Sequence, residues 1–250
     1  MENALNIGKE TVVKIENLKK SFQDNPVLQD VNLTVSKGEN ALIIGQSGIG
    51  KSVLIKCMVR LIEPDAGNIE IFGKNIPKLN RDELNTVRKR IGFLFQGNAL
   101  YDSMTVRENL EFPLIRNKLV SSQKETDAHV LEALDNVGLR RTMDLLPSEL
   151  SGGMQKRIGL ARTLILKPEI ILYDEPTTGL DPITSKEISN LIINLQEKYH
   201  TTAVIITHDI SCVRLTSNII HVLKDGKLYT SGKYHELKSS EDPWIYNFFN

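Results

Sequence analysis

Residues 45–52 of this chain are Gly45-Gln46-Ser47-Gly48-Ile49-Gly50-Lys51-Ser52. The spacing is that of a P-loop, in which glycines let backbone N–H groups approach an anion before a lysine and a hydroxyl residue. The apolar run 41–44 predicts a buried strand before the loop, and 53–58 predicts an amphipathic helix after it. Because a P-loop needs a strand, a loop and a helix in this order, the segment predicts a nucleotide-binding α/β domain.

The residue types of this segment match the chemistry of ATP. Lys51 supplies a mobile cation for the β- and γ-phosphates, and the Ser52 hydroxyl is suited to ligate Mg²⁺. The alternative, a glycine-rich turn beside an ordinary surface lysine, leaves the complete eight-residue pattern unexplained. The candidate nucleotide-binding residues here are Gly45, Gln46, Ser47, Gly48, Ile49, Gly50, Lys51, Ser52 and Val53.

Composition limits the classes of protein to which the chain can belong. Lys plus Arg and Asp plus Glu both number 31 among 250 residues, so the formal net charge is zero and no overall field favours nucleic acid. Cys57 and Cys212 lie in apolar stretches, which predicts reduced core thiols. No apolar stretch approaches the ~20 residues of a spanning helix, and the polar residues 1–6 lack a secretion pattern. We therefore expect a cytosolic chain, ordered except for its first ten residues.

The hydrophobic pattern predicts one α/β domain over 10–250 with a helical insertion. Strand-like runs occupy 12–18, 28–35, 40–44, 67–72, 91–95, 170–174, 203–207, 219–224 and 227–229. Helical patterns follow Asn80, occupy 106–116, and follow Ser122, Ser151 and Asp181. Strands alternating with helices predict a largely parallel sheet, and Asp225-Gly226 predicts a hairpin. We expect a core at 12–96 and 169–232, a helical subdomain at 97–168 and a C-terminal tail at 233–250.

Polar side chains follow three of the predicted strands. Asp174 is suited to hold Mg²⁺, while the adjacent Glu175 is suited to orient and polarise the water that attacks the γ-phosphate. His208 can donate to a γ-phosphate oxygen, and the Gln96 amide can reach Mg²⁺ or water. Taken alone, such residues are more often solvated strand ends, so the assignment depends on the P-loop upstream. The remaining histidines are predicted to be solvated, namely His129, His200, His221 and His235.

A second glycine-led pattern occurs at Leu150-Ser151-Gly152-Gly153-Met154, before the apolar face of a helix. It predicts another anion-binding helix start in a chain that already has one for its own nucleotide. Two phosphate cradles in one chain imply that two chains share a pair of nucleotides.

The order of these motifs, together with Pro176-Thr177-Thr178-Gly179-Leu180-Asp181, resembles the ATP-binding subunits of ABC transporters across nearly the whole chain. The resemblance implies a P-loop NTPase with a RecA-like core, an antiparallel β-subdomain and an inserted helical subdomain. It also implies a homodimer with ATP at the interface, each ATP held by one P-loop and by Ser151 and Gly153 of the other subunit. Phe22 matches the family's adenine-stacking aromatic, with burial under the sheet as the alternative. Asp181 matches a loop that reports across the interface.

Within this family, three features resemble the ATPase of Mla-type, MCE-linked lipid transporters. These are Met154, the segment 97–114, and the tail with Asp242-Pro243-Trp244. The resemblance implies a membrane permease, an MCE-domain protein and a small accessory subunit as partners, at the cytoplasmic face of the inner membrane. Amino-acid import, lipoprotein release and an ATP-dependent scaffold remain alternatives. A DNA-repair ATPase is disfavoured, because the chain has neither long heptad arms nor zinc-binding cysteines between the motifs.

Two apolar groups have alternative interpretations that the sequence does not separate. Leu100, Tyr101 and Met104 form either a groove that receives a short permease helix or part of the helical core. The tail aromatics either fold back on their own domain or dock on a partner, and they are Trp244, Tyr246, Phe248 and Phe249.

Overall fold

The computed structural model of the protein describes residues 10–249. The prediction that the first ten residues are disordered therefore concerns residues outside this range, except for Glu10. The strands are β1 (Thr11–Phe22), β2 (Asn25–Ser36), β3 (Asn40–Ile44), β4 (Ala66–Ile71), β5 (Lys74–Asn75), β6 (Ile91–Leu94), β7 (Ile170–Asp174), β8 (Thr202–Ile206), β9 (Ile219–Lys224) and β10 (Lys227–Gly232). The helices are α1 (Lys51–Met58), α2 (Arg81–Arg88), α3 (Val106–Arg116), α4 (Gln123–Asn136), α5 (Gly152–Leu164), α6 (Pro182–Tyr199), α7 (Ile210–Thr216), α8 (Tyr234–Lys238) and α9 (Pro243–Phe249).

The described strands form one sheet with an antiparallel and a largely parallel part. Their order is β5-β4-β1-β2-β10-β9-β3-β8-β7-β6. The first four pair antiparallel, and a single parallel bridge between Asp30 and Lys227 joins them to the rest. Strands β9, β3, β8, β7 and β6 all pair in parallel. The carboxyl ends of these strands therefore meet along one edge, which is where open α/β sheets bind ligands.

The central strands β3, β7 and β8 are buried along their whole length because helices cover both faces of the sheet. Alternate side chains of β3 enter different hydrophobic clusters. Ile43 packs with Leu54 of α1, whereas Leu42 packs with Ile188 of α6. The P-loop thus follows a strand that is packed on both faces.

Helices α3, α4 and α5 share a third hydrophobic cluster, formed by residues between Val106 and Ile165. The helix starts are set by local polar residues, and those after Asn80 and Ser122 are where the sequence predicts them. Thr105 forms a capping box with Glu108 before α3, and Ser122 accepts from the Glu125 N–H before α4. The division of the chain at 97 and 168 remains a prediction about subdomains.

Several element limits differ from the sequence prediction. Strand β1 continues to Phe22, because pairing with β2 extends it through a polar segment that lacks a strand pattern. Strand β6 ends at Leu94, so Gln96 lies in the following loop. At the predicted hairpin, Asp225 and Gly226 both have positive φ, at 48° and 72°, as a type I′ turn requires.

The tail aromatics fold back onto their own domain in this structure. Phe249 is buried in the cluster that also holds Ile188, and Trp244 and Phe248 pack partly against it. Tyr246 remains exposed. Trp244 and Tyr229 also flank the Lys224 ammonium, which lies 4.8 Å and 4.5 Å from their ring centroids.

Candidate nucleotide-binding and catalytic site

The P-loop lies between β3 and α1 and is bordered closely by the rest of the sheet. Gly50 has a φ of 108°, and a Cβ there would lie 2.6 Å from Val27 Cγ1. A Cβ on Gly45 would lie 2.5 Å from the Leu223 carbonyl oxygen. Both positions therefore exclude a side chain. Of the other predicted loop residues, Gln46, Ser47 and Gly48 are exposed at the tip, whereas Ile49 and Val53 pack against the core.

Lys51 is buried at the start of α1, with 6% of its surface exposed. Its ammonium donates to the carbonyl oxygens of Gly45 at 2.8 Å and Gln46 at 3.1 Å, and lies 3.8 Å from Glu175 Oε1. Burial lowers the pKa of this amine, while the carboxylates of Glu175 and Asp174 oppose that shift. The loop thus holds a buried cation where the phosphates of a nucleotide would lie.

Ser52 and Asp174 meet beside the P-loop. The Ser52 hydroxyl donates to Asp174 Oδ1 at 2.8 Å, and Asp174 is 3% exposed. A hydroxyl and a carboxylate are hard oxygen ligands of the kind that Mg²⁺ takes together with waters and phosphate oxygens. The residues present therefore fit a magnesium ion bridging the protein and a nucleotide.

Glu175 and His208 form a second pair at the same edge. Glu175 is 8% exposed and has a φ of 53°, a left-handed conformation that is uncommon outside glycine. Its Oε2 lies 2.8 Å from His208 Nδ1 and accepts from the Thr178 hydroxyl at 3.2 Å. The His208 side chain is 58% exposed. A buried carboxylate is thus fixed between a cation and an imidazole, next to the loop that would hold the phosphates.

Gln96 differs from the other predicted residues, because its side chain is exposed and makes no hydrogen bond among residues 10–249. Its backbone carbonyl accepts a 2.6 Å hydrogen bond from the Lys156 ammonium. The sequence reasoning missed Lys156, which is 3% exposed. A signal was present, since Lys156 shares the buried helix face of Leu160 and Leu164 at spacings of four. Burial lowers the pKa of this amine as well.

At the start of α5, no hydrogen bond among residues 10–249 joins Ser151 or Gly152 to the chain's own P-loop. Ser151 Oγ accepts from the Met154 N–H at 3.3 Å, which caps the helix, and both Ser151 and Gly152 are exposed. A Cβ on Gly153 would lie 2.7 Å from Thr184 Cγ2, so this glycine is needed for packing against α6. Asp181 caps α6, and hydrogen bonds from the Thr184 hydroxyl and N–H lower the pKa of its carboxyl.

Phe22 is 46% exposed at the end of β1, with the Lys20 ammonium 5.4 Å from its ring centroid. Burial under the sheet, the alternative interpretation, is therefore wrong. The ring is available to stack on a ligand.

The prediction that His221 is solvated is also wrong. His221 lies on β9 with 7% of its surface exposed, and its Nδ1 is 2.7 Å from Ser231 Oγ. Its buried Nε2 has no hydrogen-bond partner among residues 10–249, and burial lowers the pKa of the imidazole to about 4. A histidine in a β-rich apolar run is enclosed once neighbouring strands pair. The two thiols are buried and free as predicted, and burial raises the pKa of Cys57 to about 12.

Comparison with known proteins places this geometry in context. Residues 28–178 match the family model described as ABC transporter. The chain is 38% identical over 238 residues to the "Probable ribonucleotide transport ATP-binding protein mkl" of Mycobacterium tuberculosis, covering 95% of this chain but only 66% of that protein. It is 38% identical over 224 residues to the "Intermembrane phospholipid transport system ATP-binding protein MlaF" of Escherichia coli, covering 90% of this chain and 83% of that protein.

The solved structure of a related protein has the same fold. The dimeric ATP-binding cassette MJ0796, in a post-hydrolysis state bound to ADP and Pi, superposes with a TM-score of 0.81 at 36% identity. The match covers 88% of this chain and 98% of that one. The predicted fold class is therefore confirmed. Among residues 10–249, no helix has the length and apolar character needed to cross a membrane.

Proposed function

The chain belongs to the ABC transporter family, and from this premise we propose that it is the ATP-hydrolysing subunit of a membrane transporter for phospholipid or a related lipid. One observation carries the ATPase part. Lys51, Asp174, Glu175 and His208 meet beside the P-loop although they come from three separate segments of the chain. This set provides a phosphate cation, a metal ligand, a carboxylate for water and an imidazole.

Each residue has a role in the proposed reaction. Lys51 holds the β- and γ-phosphates, and Glu175 orients the attacking water and accepts its proton. The 2.8 Å contact with His208 Nδ1 fixes the carboxylate, and the imidazole also faces the γ-phosphate oxygens. The new bond joins water oxygen to the γ-phosphorus, the bond to the bridging oxygen breaks, and ADP and inorganic phosphate leave. Ser52, Asp174 and Gln96 would hold a magnesium ion, which would neutralise phosphate charge when bound.

The exposed start of α5 supports a homodimer that encloses two ATP molecules. Ser151 and Gly153 of one copy would complete the pocket of the other, with Asp181 at the interface and Phe22 on adenine. A twofold arrangement satisfies both pockets at once. ATP binding would close this dimer and hydrolysis would reopen it. The proposed subdomains, with 97–168 as the helical one, provide the two halves of each pocket.

The surface around the Gln96 loop supports docking of a permease. Phe93, Phe95 and Leu166 line a groove between β6 and α5. Beside it, Tyr101 is 41% exposed and packs edge to face on the exposed Phe112. Leu100, by contrast, packs against the helical cluster, so the predicted apolar group is divided between groove and core. A short permease helix in this groove would hold the chain at the cytoplasmic face of the inner membrane. The MCE-domain protein and the small accessory subunit complete the proposed assembly.

The lipid cargo is supported by resemblance to the MlaF proteins. The chain covers 83% of the E. coli MlaF sequence. It covers 66% of the mycobacterial Mkl, a protein whose name specifies ribonucleotide transport. Met154, the segment 97–114 and the tail agree with the same assignment.

Two experiments test the proposal. First, the purified chain is assayed for release of inorganic phosphate from ATP with Mg²⁺, alongside Lys51→Ala. We expect turnover from the wild type and weakened binding of a fluorescent ATP analogue by Lys51→Ala. Unchanged affinity in that variant would contradict the assignment of Lys51.

Second, the chain is copurified with its membrane partner, reconstituted in vesicles and supplied with labelled phospholipid or labelled ribonucleotide. We expect ATP-dependent movement of the phospholipid only. Movement of the ribonucleotide would be compatible with the proposed ATPase activity but would contradict the proposed lipid cargo.

A further inference from the structure

Lys156 is a buried cation that belongs to none of the motifs described above. It lies on α5, five residues after Ser151, and its ammonium donates to the Gln96 carbonyl oxygen at 2.6 Å. The charges that favour its protonated form are those of Asp174 and Glu175. Enclosing an ammonium is costly unless its hydrogen bonds are made, so this contact holds the Gln96 backbone strongly.

Two further residues on the same face of α5 contact the loop that begins at Gln96. A Cβ on Gly159 would lie 3.4 Å from the Asn98 carbonyl oxygen, so backbone and helix are already close. Arg162 donates to the Ala99 carbonyl oxygen. Lys156, Gly159 and Arg162 are spaced by three, which places them along one side of the helix. This side of α5 therefore lies against the loop over residues 96–99.

The loop that α5 holds is conformationally strained. Asn98 and Ala99 have φ values of 62° and 52°, and neither is glycine. A non-glycine residue in this region persists where surrounding contacts impose it. Within the loop, the hydrogen bonds from Asn98 N–H to Phe95 and from Ala99 N–H to Gly97 are short-range and stabilise it weakly. The contacts from α5 thus maintain its shape.

We propose that Lys156 is a positioning residue that links the helix starting at Ser151 to Gln96, so that movement of this helix moves the Gln96 loop. The inference rests on the proposed function, because Ser151 then binds the nucleotide of one pocket while Gln96 serves the metal of the other. In this link Lys156 supplies the buried, charged contact, beside the contact of Arg162 and the close approach of Gly159. In this proposal Lys156 acts through the Gln96 backbone.

The test begins with nucleotide-free protein and needs no turnover. Lys156→Met keeps the length of the side chain but removes the donor, whereas Lys156→Arg retains a donor. We expect the amides of Asn98 and Ala99 to exchange with deuterium about tenfold faster in Lys156→Met, in line with the loss of a charged hydrogen bond. The Tyr101 amide donates to Asn109 of α3 and serves as an internal reference that stays slow. Lys124→Met, at an exposed position on α4, is the matched control.

The second readout is the Mg²⁺ concentration that gives half-maximal ATP hydrolysis. We expect it to rise about tenfold in Lys156→Met and to be restored in Lys156→Arg, with ATP affinity in EDTA unchanged. In a Gln96→Ala background, Lys156→Met should not raise this Mg²⁺ concentration further, because the side-chain amide that Lys156 positions is already absent. If the methionine variant does not fold, Lys156→Gln, which is shorter and neutral, should show both changes in the same direction.

Unchanged exchange at Asn98 and Ala99 in a folded variant, equal acceleration at Tyr101, or additive effects with Gln96→Ala would each overturn the proposal. Failure of the proposed function can be distinguished from failure of the proposed role of Lys156. In that case the wild type would not hydrolyse ATP, while the exchange experiment would still report whether Lys156 holds the loop.

Discussion

The P-loop and the start of α5 are both glycine-led helix starts, but they differ in what surrounds them. The base of the P-loop is enclosed by its own chain, with Lys51, Asp174 and Glu175 all buried, while the loop's tip is exposed. Ser151 and Gly152 are exposed, and among residues 10–249 no hydrogen bond joins them to that cluster. Backbone N–H groups can bind an anion in either place, yet only the first has charges that select a triphosphate and act on it. In the proposed function the first region forms one half of a pocket, and the second completes the pocket of another copy.

The largest expected effect tests the enclosed region. Glu175→Gln should lower ATP turnover by about 10² to 10⁴ because the amide is a poor proton acceptor. ATP binding should be spared, since Lys51 and Ser52 are untouched. Phosphate release and titration with a fluorescent ATP analogue measure the two properties. Turnover near the wild-type value would remove Glu175 from its role and leave the buried cluster without an assigned base.

The exposed region is tested by Ser151→Asp. Aspartate preserves the helix cap but places a negative charge where the other copy's triphosphate would lie. We expect turnover to fall about 100-fold, with ATP binding to the isolated subunit unchanged.

Ser122→Asp makes the same change at the exposed cap of α4 and should leave turnover unaltered. If Ser151→Asp turned over at the wild-type rate, the start of α5 would have no part in a pocket.

His221 is a buried polar residue outside both regions. Its substitution should therefore change the stability of the fold and leave ATP turnover unaffected. Its pKa in the folded protein, about 4, lies below the 6.5 of an unperturbed imidazole. The unfolded chain therefore takes up a proton first as the pH falls below 6.5, and stability is lost progressively down to pH 4. This single group should lower the free energy of unfolding by about 2 kcal/mol between pH 8 and pH 5.

The measurement is a urea denaturation series at pH 8 and pH 5. His221→Leu should lose less stability on acidification than the wild type, by about that amount. His235→Asn, which changes an exposed histidine, serves as the control. Equal losses in His221→Leu and the wild type would show that burial does not shift the pKa of His221.

The smallest expected effect concerns Phe22 at the rim of the enclosed region. Phe22→Ala should weaken ATP binding about tenfold by removing a stacking surface, while Phe22→Trp should preserve binding. Because the ring is 46% exposed, the melting temperature should change little. Binding is measured by titration with a fluorescent ATP analogue. If Phe22→Ala bound ATP as tightly as Phe22→Trp and the wild type, stacking on adenine would be excluded.

Most helices and central strands could be predicted because their signals are local. The periods of α3 and β7, the caps Thr105 and Asp181, and the Asp225-Gly226 turn each depend on a few adjacent residues. The last four residues of β1 and the short helices α7, α8 and α9 depend on pairing or packing with distant segments and were missed. His221 and Lys156 were misjudged or overlooked for the same reason, since neither residue type indicates burial by itself.

The sequence alone determined which chemical groups are present and in what order, because a P-loop and a strand-end carboxylate pair are properties of adjacent residues. Only the tertiary structure decided which groups meet. Parallel pairing of β3, β8 and β7 brings the carboxyl ends of the strands to one edge, which places His208 2.8 Å from Glu175 and Ser52 2.8 Å from Asp174. The same packing buries Lys156 against the Gln96 loop and leaves Ser151 exposed. Distances between segments far apart in the chain are set by the sheet and its covering helices, and no local pattern encodes them.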